Sequence, residues 1–309
     1  GLLKDMVAKI FTGYDGFIFI MATGIVVRVI APFIKGKEID PAIVVMDEAG
    51  RFVISLLSGH LGGANELARE VAKCIGAIPV ITTATDVCGK LCAEDLAKEL
   101  DAEIENVRMI KNVNASFLRD EPIAVNIPSE KRDTLKCSGN FIFYDDLEEL
   151  LGSGCKTRIA VTNRLKHGIE DDCLVIRPWN LVVGVGCNRN TSANEIEEVV
   201  SKVLRNNGLS QKSIRNLASI DAKGDEAGLL DFAKRHDLTI DFFTKEELEK
   251  MDFVTVPSRH VMKAVGVGGV CEPSAMLSSK NPVLLVPKVK SGNVTVAVAE
   301  AAPSFDKSI

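Results

Sequence analysis

No segment of this chain is apolar for long enough to cross a bilayer, which takes roughly 18–20 uncharged residues in a row. The N-terminus, Gly1-Leu2-Leu3-Lys4-Asp5, lacks the basic start, apolar stretch and cleavage site of a secretory signal. There is no CxxC pair and no Cys/His spacing suited to structural zinc, although eight cysteines are scattered along the sequence. Positive charge is not in excess either: the formal net charge is −5, the opposite of a nucleic-acid footprint. Internal repeats and low-complexity tracts are also missing. Together these absences argue against a membrane span, a disulfide-stapled secreted domain and a nucleic-acid binder. They predict a soluble, cytoplasmic protein with free thiols. Cys88 and Cys92 are read as small buried or surface thiols in preference to a disulfide or a metal pair.

What is present is ample apolar material, 46% of 309 residues, more than a single core ordinarily serves. Amphipathic stretches alternate with short runs of β-branched residues, the pattern of a parallel sheet flanked by helices. Spacing predicts helices at 2–11, 25–33, 62–75 and 94–100, and strands at 16–21, 42–46, 52–56 and 79–82. The turn Asp47-Glu48-Ala49-Gly50 makes a hairpin of the middle two strands. Residues 101–178 are less regular, with strands near 122–127, 141–144, 157–162 and 173–177. A second α/β unit begins at Leu181, with strands at 182–187, 214–220, 239–243, 283–287 and 294–299. Its helices fall at 193–206, 227–236 and 245–251, with Ser192 as N-cap and Glu195 at the capping-box position. The predicted fold class is therefore α/β: two Rossmann-like α/β domains, 1–100 and 179–309, with a smaller middle α/β domain, 101–178. An amphipathic segment precedes the first strand, as though an earlier β-α unit were missing, so a truncated or processed chain is expected.

Three turns of the first domain carry polar groups. Ser58-Gly59-His60-Leu61-Gly62-Gly63-Ala64-Asn65 joins a strand to a helix, where backbone N–H groups can hold an anion or a developing oxyanion. His60 is suited to a general base, Ser58 to its hydroxyl partner or a nucleophile, and Asn65 to an orienting donor. The bland alternative is a glycine turn whose histidine bonds a nearby carbonyl. Thr23 and Gly24, with Arg28 one helical turn later, suit a carboxylate. Thr82, Thr83 and Asp86 follow the third strong strand and are expected at the same C-terminal sheet edge as the other two turns, the edge where ligands collect in open α/β sheets. In the last domain, Gly184-Val185-Gly186-Cys187-Asn188-Arg189 lacks the third glycine of a dinucleotide fingerprint, so NAD binding is not expected. Gly266-Val267-Gly268-Gly269-Val270-Cys271-Glu272-Pro273 is a glycine loop entering a helix, its Glu272 either binding a ligand cation or capping the helix.

These strings resemble a known family. Residues 20–28, 56–67 and 80–86 look like the N-terminal domain of the cobalt-precorrin-5A hydrolases of anaerobic cobalamin biosynthesis. Residues 184–189, 218–221 with Lys223, Asp225 and Glu226, and 266–273 look like its C-terminal domain; the middle resembles it only in position and length. Members usually begin with an additional β-α unit. The resemblance implies a cobalt corrinoid substrate bearing many carboxylates and a δ-lactone, and a product that has lost the extruded carbon as acetaldehyde. Opening the lactone then assigns His60 as base and the Gly62 and Gly63 amides as oxyanion donors. Arg28, Arg51, Arg189 and Lys223 are assigned to the peripheral carboxylates. The cobalt macrocycle can accept the electrons of the C–C cleavage, so no protein-bound metal or other cofactor is expected. The corrinoid is expected in a cleft between domains. Neighbouring pathway enzymes and a second copy of the chain stay open as protein partners. A non-enzymatic corrinoid carrier and a generic ester hydrolase are the rival readings.

Overall fold

The computed structural model describes residues 2–36, 39–60, 62–83, 90–132, 135, 139–250, 269–281 and 283–301. Its first apolar runs form a four-stranded sheet in the order β1 (Gly16–Ile20), β2 (Ala42–Met46), β3 (Phe52–Leu57), β4 (Ile78–Val80). The helices Leu2–Ile10 and Thr23–Ile30 give Val7, Val26 and Ile30 to one face, against Phe19, Ile43 and Val45. The helix Ala64–Ile75 covers the other face. Its buried side is three alanines at a spacing of four, Ala64, Ala68 and Ala72, which let the helix lie close on Ala42, Val44 and Val53.

Strand direction decides where the turns go. β1 and β2 run parallel, with Ile20 beside Met46. β3 runs back against β2, with Met46 beside Val53 and Ile43 beside Leu57, and β4 follows β3 in parallel. The reversal is fixed by Asp47, whose carboxylate accepts the N–H groups of Arg51 at 2.8 Å and Phe52 at 2.7 Å. The loop after β3 and the segment after β4 therefore share one edge of the sheet, while the turn after β1 lies at the opposite edge. The expectation that all three turns share one edge is corrected here. The hairpin that the sequence itself signals reverses the third strand, so its C-terminal end is at the N-terminal end of β1 and β2.

The chain divides into two compact units, one of Gly1–Leu96 with Val107–Pro122 and Cys137–Asn140, the other of Ala97–Asn106, Ile123–Lys136 and Phe141–Ile309. The second holds two five-stranded sheets. One has β5 (Ala102–Ile104), β6 (Ile123–Asn126), β7 (Phe141–Tyr144), β8 (Thr157–Val161) and β9 (Leu174–Pro178) in the order β5-β9-β8-β6-β7, parallel except for β5. This region is more regular than its sequence suggests. The strand β5 and the helices Ile110–Leu118, Leu147–Gly152 and Ile169–Asp172 are not apparent from the pattern, because each is short or interrupts its apolar spacing with Asn, Ser or acidic residues.

The other sheet has β10 (Leu181–Cys187), β11 (Ile214–Ile220), β12 (Ile240–Phe243), β13 (Leu284–Ser291) and β14 (Val294–Glu300) in the order β12-β11-β10-β14-β13. β10 to β12 are parallel, and β14 and β13 close the sheet antiparallel. The helix Ala193–Asn206 lies where its spacing predicts, its Ile196, Val200 and Leu204 buried. Ser192 caps it, accepting the Glu195 N–H at 3.2 Å, but the Glu195 carboxylate turns away to accept the Asn293 N–H at 3.1 Å. A complete capping box forms at Thr244 and Glu247 instead. Among the described residues no helix is long and apolar enough to cross a membrane.

Candidate active site

The loop between β3 and the helix Ala64–Ile75 is built tightly enough that its glycines are obligatory. Ser58 adopts a left-handed φ of 58°, uncommon for a residue with a Cβ. A Cβ on Gly62 would stand 2.3 Å from the Ser58 Cβ, and Gly63, with φ of 81°, serves as the N-cap. Backbone bonds close the turn: Gly63 N–H to the His60 carbonyl at 3.0 Å, Ala64 N–H to Ser58 at 3.1 Å and Asn65 N–H to Gly59 at 2.9 Å. The Gly63 amide is thus engaged inside the loop, and of the two amides assigned to an oxyanion Gly62 is the remaining candidate. The Ser58 Oγ is buried and has no hydrogen-bond partner among the described residues.

Asn65 is 4% exposed. Its Oδ1 accepts the Ser55 hydroxyl at 2.7 Å and its Nδ2 donates to the Thr83 hydroxyl at 3.1 Å. It ties the ends of β3 and β4 together, so its side chain holds the loop. Thr82 is exposed beside Thr83. Asp86, Leu61 and residues 266–268 lie outside the described residues.

Half-buried His60 meets two residues that sequence reasoning did not assign to it. Its Nδ1 is 3.8 Å from the Cys92 Sγ. The Cys92 thiol donates to the Asp95 carboxylate at 2.9 Å, and the Asp95 N–H approaches the same sulfur at 3.4 Å. Burial first, and then the bond to Asp95, pushes the Cys92 thiol far above its ordinary value and keeps it protonated. The Cys92-x-x-Asp95 spacing at a helix start was the available signal. Its proximity to His60 was not legible, because it depends on packing between segments 32 residues apart.

The residues at the opposite sheet edge form a separate group. Thr23 is the first residue of its helix, capped by Ala22 rather than by a hydroxyl. Exposed Arg28 bends back to the Gly24 carbonyl at 3.1 Å, and Arg51 lies 3.7 Å from Asp47 with its side chain 76% exposed. Neither cation is beside His60. The five-residue strands put the two edges roughly 16 Å apart.

In the second unit, the turn after β10 meets the segment after β11. Arg189 pairs with Asp225 and donates to the Ala222 carbonyl at 2.8 Å, while Lys223 lies 3.5 Å from the buried carboxylate of Glu226. Glu226 also accepts the Asn190 N–H at 2.7 Å. The bond to Asp225 raises the Arg189 guanidinium, and the same bond lowers Asp225. Gly184 and Gly186 serve packing: a Cβ on the first would stand 1.8 Å from the Cys271 carbonyl, and on the second 2.6 Å from the Thr295 hydroxyl. Buried Glu272 accepts the Lys288 N–H at 3.0 Å, where β13 breaks its register against β14.

Comparison with known families matches nearly all of this chain. Residues 5–86 fit the model described as cobalamin synthesis G N-terminal, 93–178 the cobalamin biosynthesis central region, and 181–299 the cobalamin synthesis G C-terminus. The chain belongs to the cobalamin synthesis G family. Two relatives within the family are the cobalt-precorrin-5A hydrolases of Priestia megaterium and Salmonella typhimurium. The first is 39% identical, over 97% of this chain and 82% of the relative; the second is 36% identical, over 97% and 86%. Within the cobalamin synthesis G segments, His60 falls in the N-terminal one and the Arg189 cluster in the C-terminal one. Cys92 falls between the N-terminal and central segments, and Asp95 just inside the central one.

Proposed function

We propose that this chain is a cobalt-precorrin-5A hydrolase, which opens the δ-lactone of its corrinoid substrate and releases the extruded carbon as acetaldehyde, giving cobalt-precorrin-5B. The observation that carries the reading is similarity along the whole chain to hydrolases of that name. The chemistry divides into addition of water to the lactone carbonyl and cleavage of a carbon–carbon bond. For the first step the β3 loop supplies His60 as base, with Nδ1 turned to Cys92 and Nε2 assigned the proton of the attacking water. The Gly62 amide is assigned to the oxyanion. Thr82 and Thr83 share that edge and are assigned to the substrate, while Asn65 keeps the edge in shape. For the second step a base takes the proton of the hydroxyl that leaves as acetaldehyde and the bonding electrons pass into the cobalt macrocycle, so no protein-bound cofactor is required.

Arg189 and Lys223 are assigned to peripheral carboxylates of the corrinoid, which would compete with Asp225 and Glu226 for them. Arg28 and Arg51 are withdrawn from the set around His60, since the hairpin carries them to the other edge. The test is an anaerobic incubation with cobalt-precorrin-5A, trapping acetaldehyde and following the corrinoid by mass. Acetaldehyde with the matching mass loss is expected. A corrinoid that stays bound and unchanged would overturn the reading in favour of a carrier.

A further inference from the structure

We infer that His60, Cys92 and Asp95 form a three-ligand site for a divalent transition-metal ion of the zinc class. Their donor atoms all lie within 4.8 Å of one another, and among the described residues this is the one grouping of three such donors. The geometry is close to a ligand set. Tetrahedral zinc, with bonds of roughly 2.3 Å to sulfur and 2.0 Å to nitrogen, places the two about 3.5 Å apart. Cys92 Sγ and His60 Nδ1 already stand 3.8 Å apart. The Sγ–Oδ2 separation of 2.9 Å is that of a thiol hydrogen bond. It must open by about 0.7 Å to admit an ion, a small movement for the exposed side chain of Asp95.

Helix capping does not explain the arrangement. Cys92 precedes the helix Ala93–Glu99 and Asp95 lies in its first turn, so their mutual contact suits a helix start. That start is already held from another side: Asn114 accepts the Ala93 N–H at 2.8 Å and donates to Glu94 at 2.9 Å. The histidine arrives from a loop 32 residues earlier. The fold thus gathers a thiol, an imidazole and a carboxylate within 4.8 Å of one another, leaving only the carboxylate to adjust.

The donor set selects the ion. One soft thiolate with an imidazole favours zinc or cobalt(II) over magnesium or calcium, which take oxygen ligands. Three protein ligands is the number found in catalytic zinc sites, whose remaining position is taken by water or substrate. Binding exchanges the proton between Cys92 and Asp95 for the ion, so one proton is released per ion bound. Only the consequence of the site rests on the hydrolase reading: in the loaded protein, metal-bound water would supply the lactone nucleophile in place of water activated by the imidazole.

The test uses the full chain, stripped with chelator and titrated anaerobically with cobalt(II). A near-ultraviolet thiolate-to-cobalt band and the visible bands of four-coordinate cobalt are expected to saturate at one equivalent, and zinc is expected to abolish them. Cys92→Ala is expected to lose the charge-transfer band, while the control Cys74→Ser, at an exposed thiol, keeps it. Asp95→Asn and His60→Gln, which leave the buried thiol in place, are expected to weaken binding more than tenfold, since even losing an outer-shell partner costs roughly 10–100-fold. No band in the wild type, or a band unchanged in Cys92→Ala with wild-type circular dichroism, would overturn the site. If Cys92→Ala does not fold, undiminished affinity in both other variants does the same. Binding is read without substrate, so its failure leaves the hydrolase reading standing, and metal bound without acetaldehyde release would overturn only that reading.

Discussion

At the scale of single residues, the loop around His60 shows how type and place divide. The residue types that could act, Ser58, His60, Asn65 and Thr83, are legible in the sequence. Their division of labour is not, because it depends on which of them are buried together. Asn65, a natural choice for an orienting donor, is the buried tie between Ser55 and Thr83. Replacing it by alanine strands two hydroxyls, each of which loses its bond to the amide. Asn65→Ala is expected to destabilise the protein by about 1–3 kcal/mol, read as a shift in the denaturant midpoint. An unchanged midpoint would show that the tie is not formed in solution. Arg177, fully buried with Nε donating to Glu105 at 2.7 Å, is another residue no pattern signals. Nothing local distinguishes it from a solvated arginine.

At the scale of elements, long periodic segments were legible and short ones were not. The helices Ala64–Ile75 and Ala193–Asn206 have an apolar stripe repeated over several turns, whereas Ile110–Leu118 carries Asn and Ser between its apolar positions. The hairpin turn was legible too, yet its consequence for sheet direction decides which residues share an edge. Asp47 is the group on which that turn depends. The Phe52 N–H, followed by that of Arg51, holds its carboxyl below the usual carboxylate value, so its contribution is complete above the unfolded value of about 3.9. That contribution is lost as pH falls through the lower folded value. Asp47→Asn is therefore expected to lower the thermal midpoint at pH 7, with the difference from the wild type shrinking as pH falls below about 3.9. A difference that persists at acid pH would assign the effect to something other than the charge. Between β10 and the helix Cys271–Ser279 the limit is steric. In Gly184→Ala the new Cβ would meet a backbone carbonyl at 1.8 Å, which no rotamer relieves. A loss of about 3 kcal/mol or more is expected in a denaturant titration, and near-wild-type stability would contradict the close approach.

At the scale of the whole molecule, sequence pattern and structure agree on an α/β chain with three sheets, and the family segments follow the same order. The glycine turns that carry the family likeness divide between two tasks. Gly62 and Gly63 shape a loop with a histidine at its tip, and Gly184 and Gly186 let a helix and a strand approach. Only the first kind brings reactive groups together. The central claim is that this edge, with His60, performs the hydrolysis while the opposite edge takes no direct part. It is tested most directly by acetaldehyde release from cobalt-precorrin-5A by the wild type, His60→Ala and Arg28→Ala side by side. His60→Ala is predicted to fall by about 100-fold or more while Arg28→Ala stays within about twofold of the wild type; full turnover by His60→Ala would contradict the account.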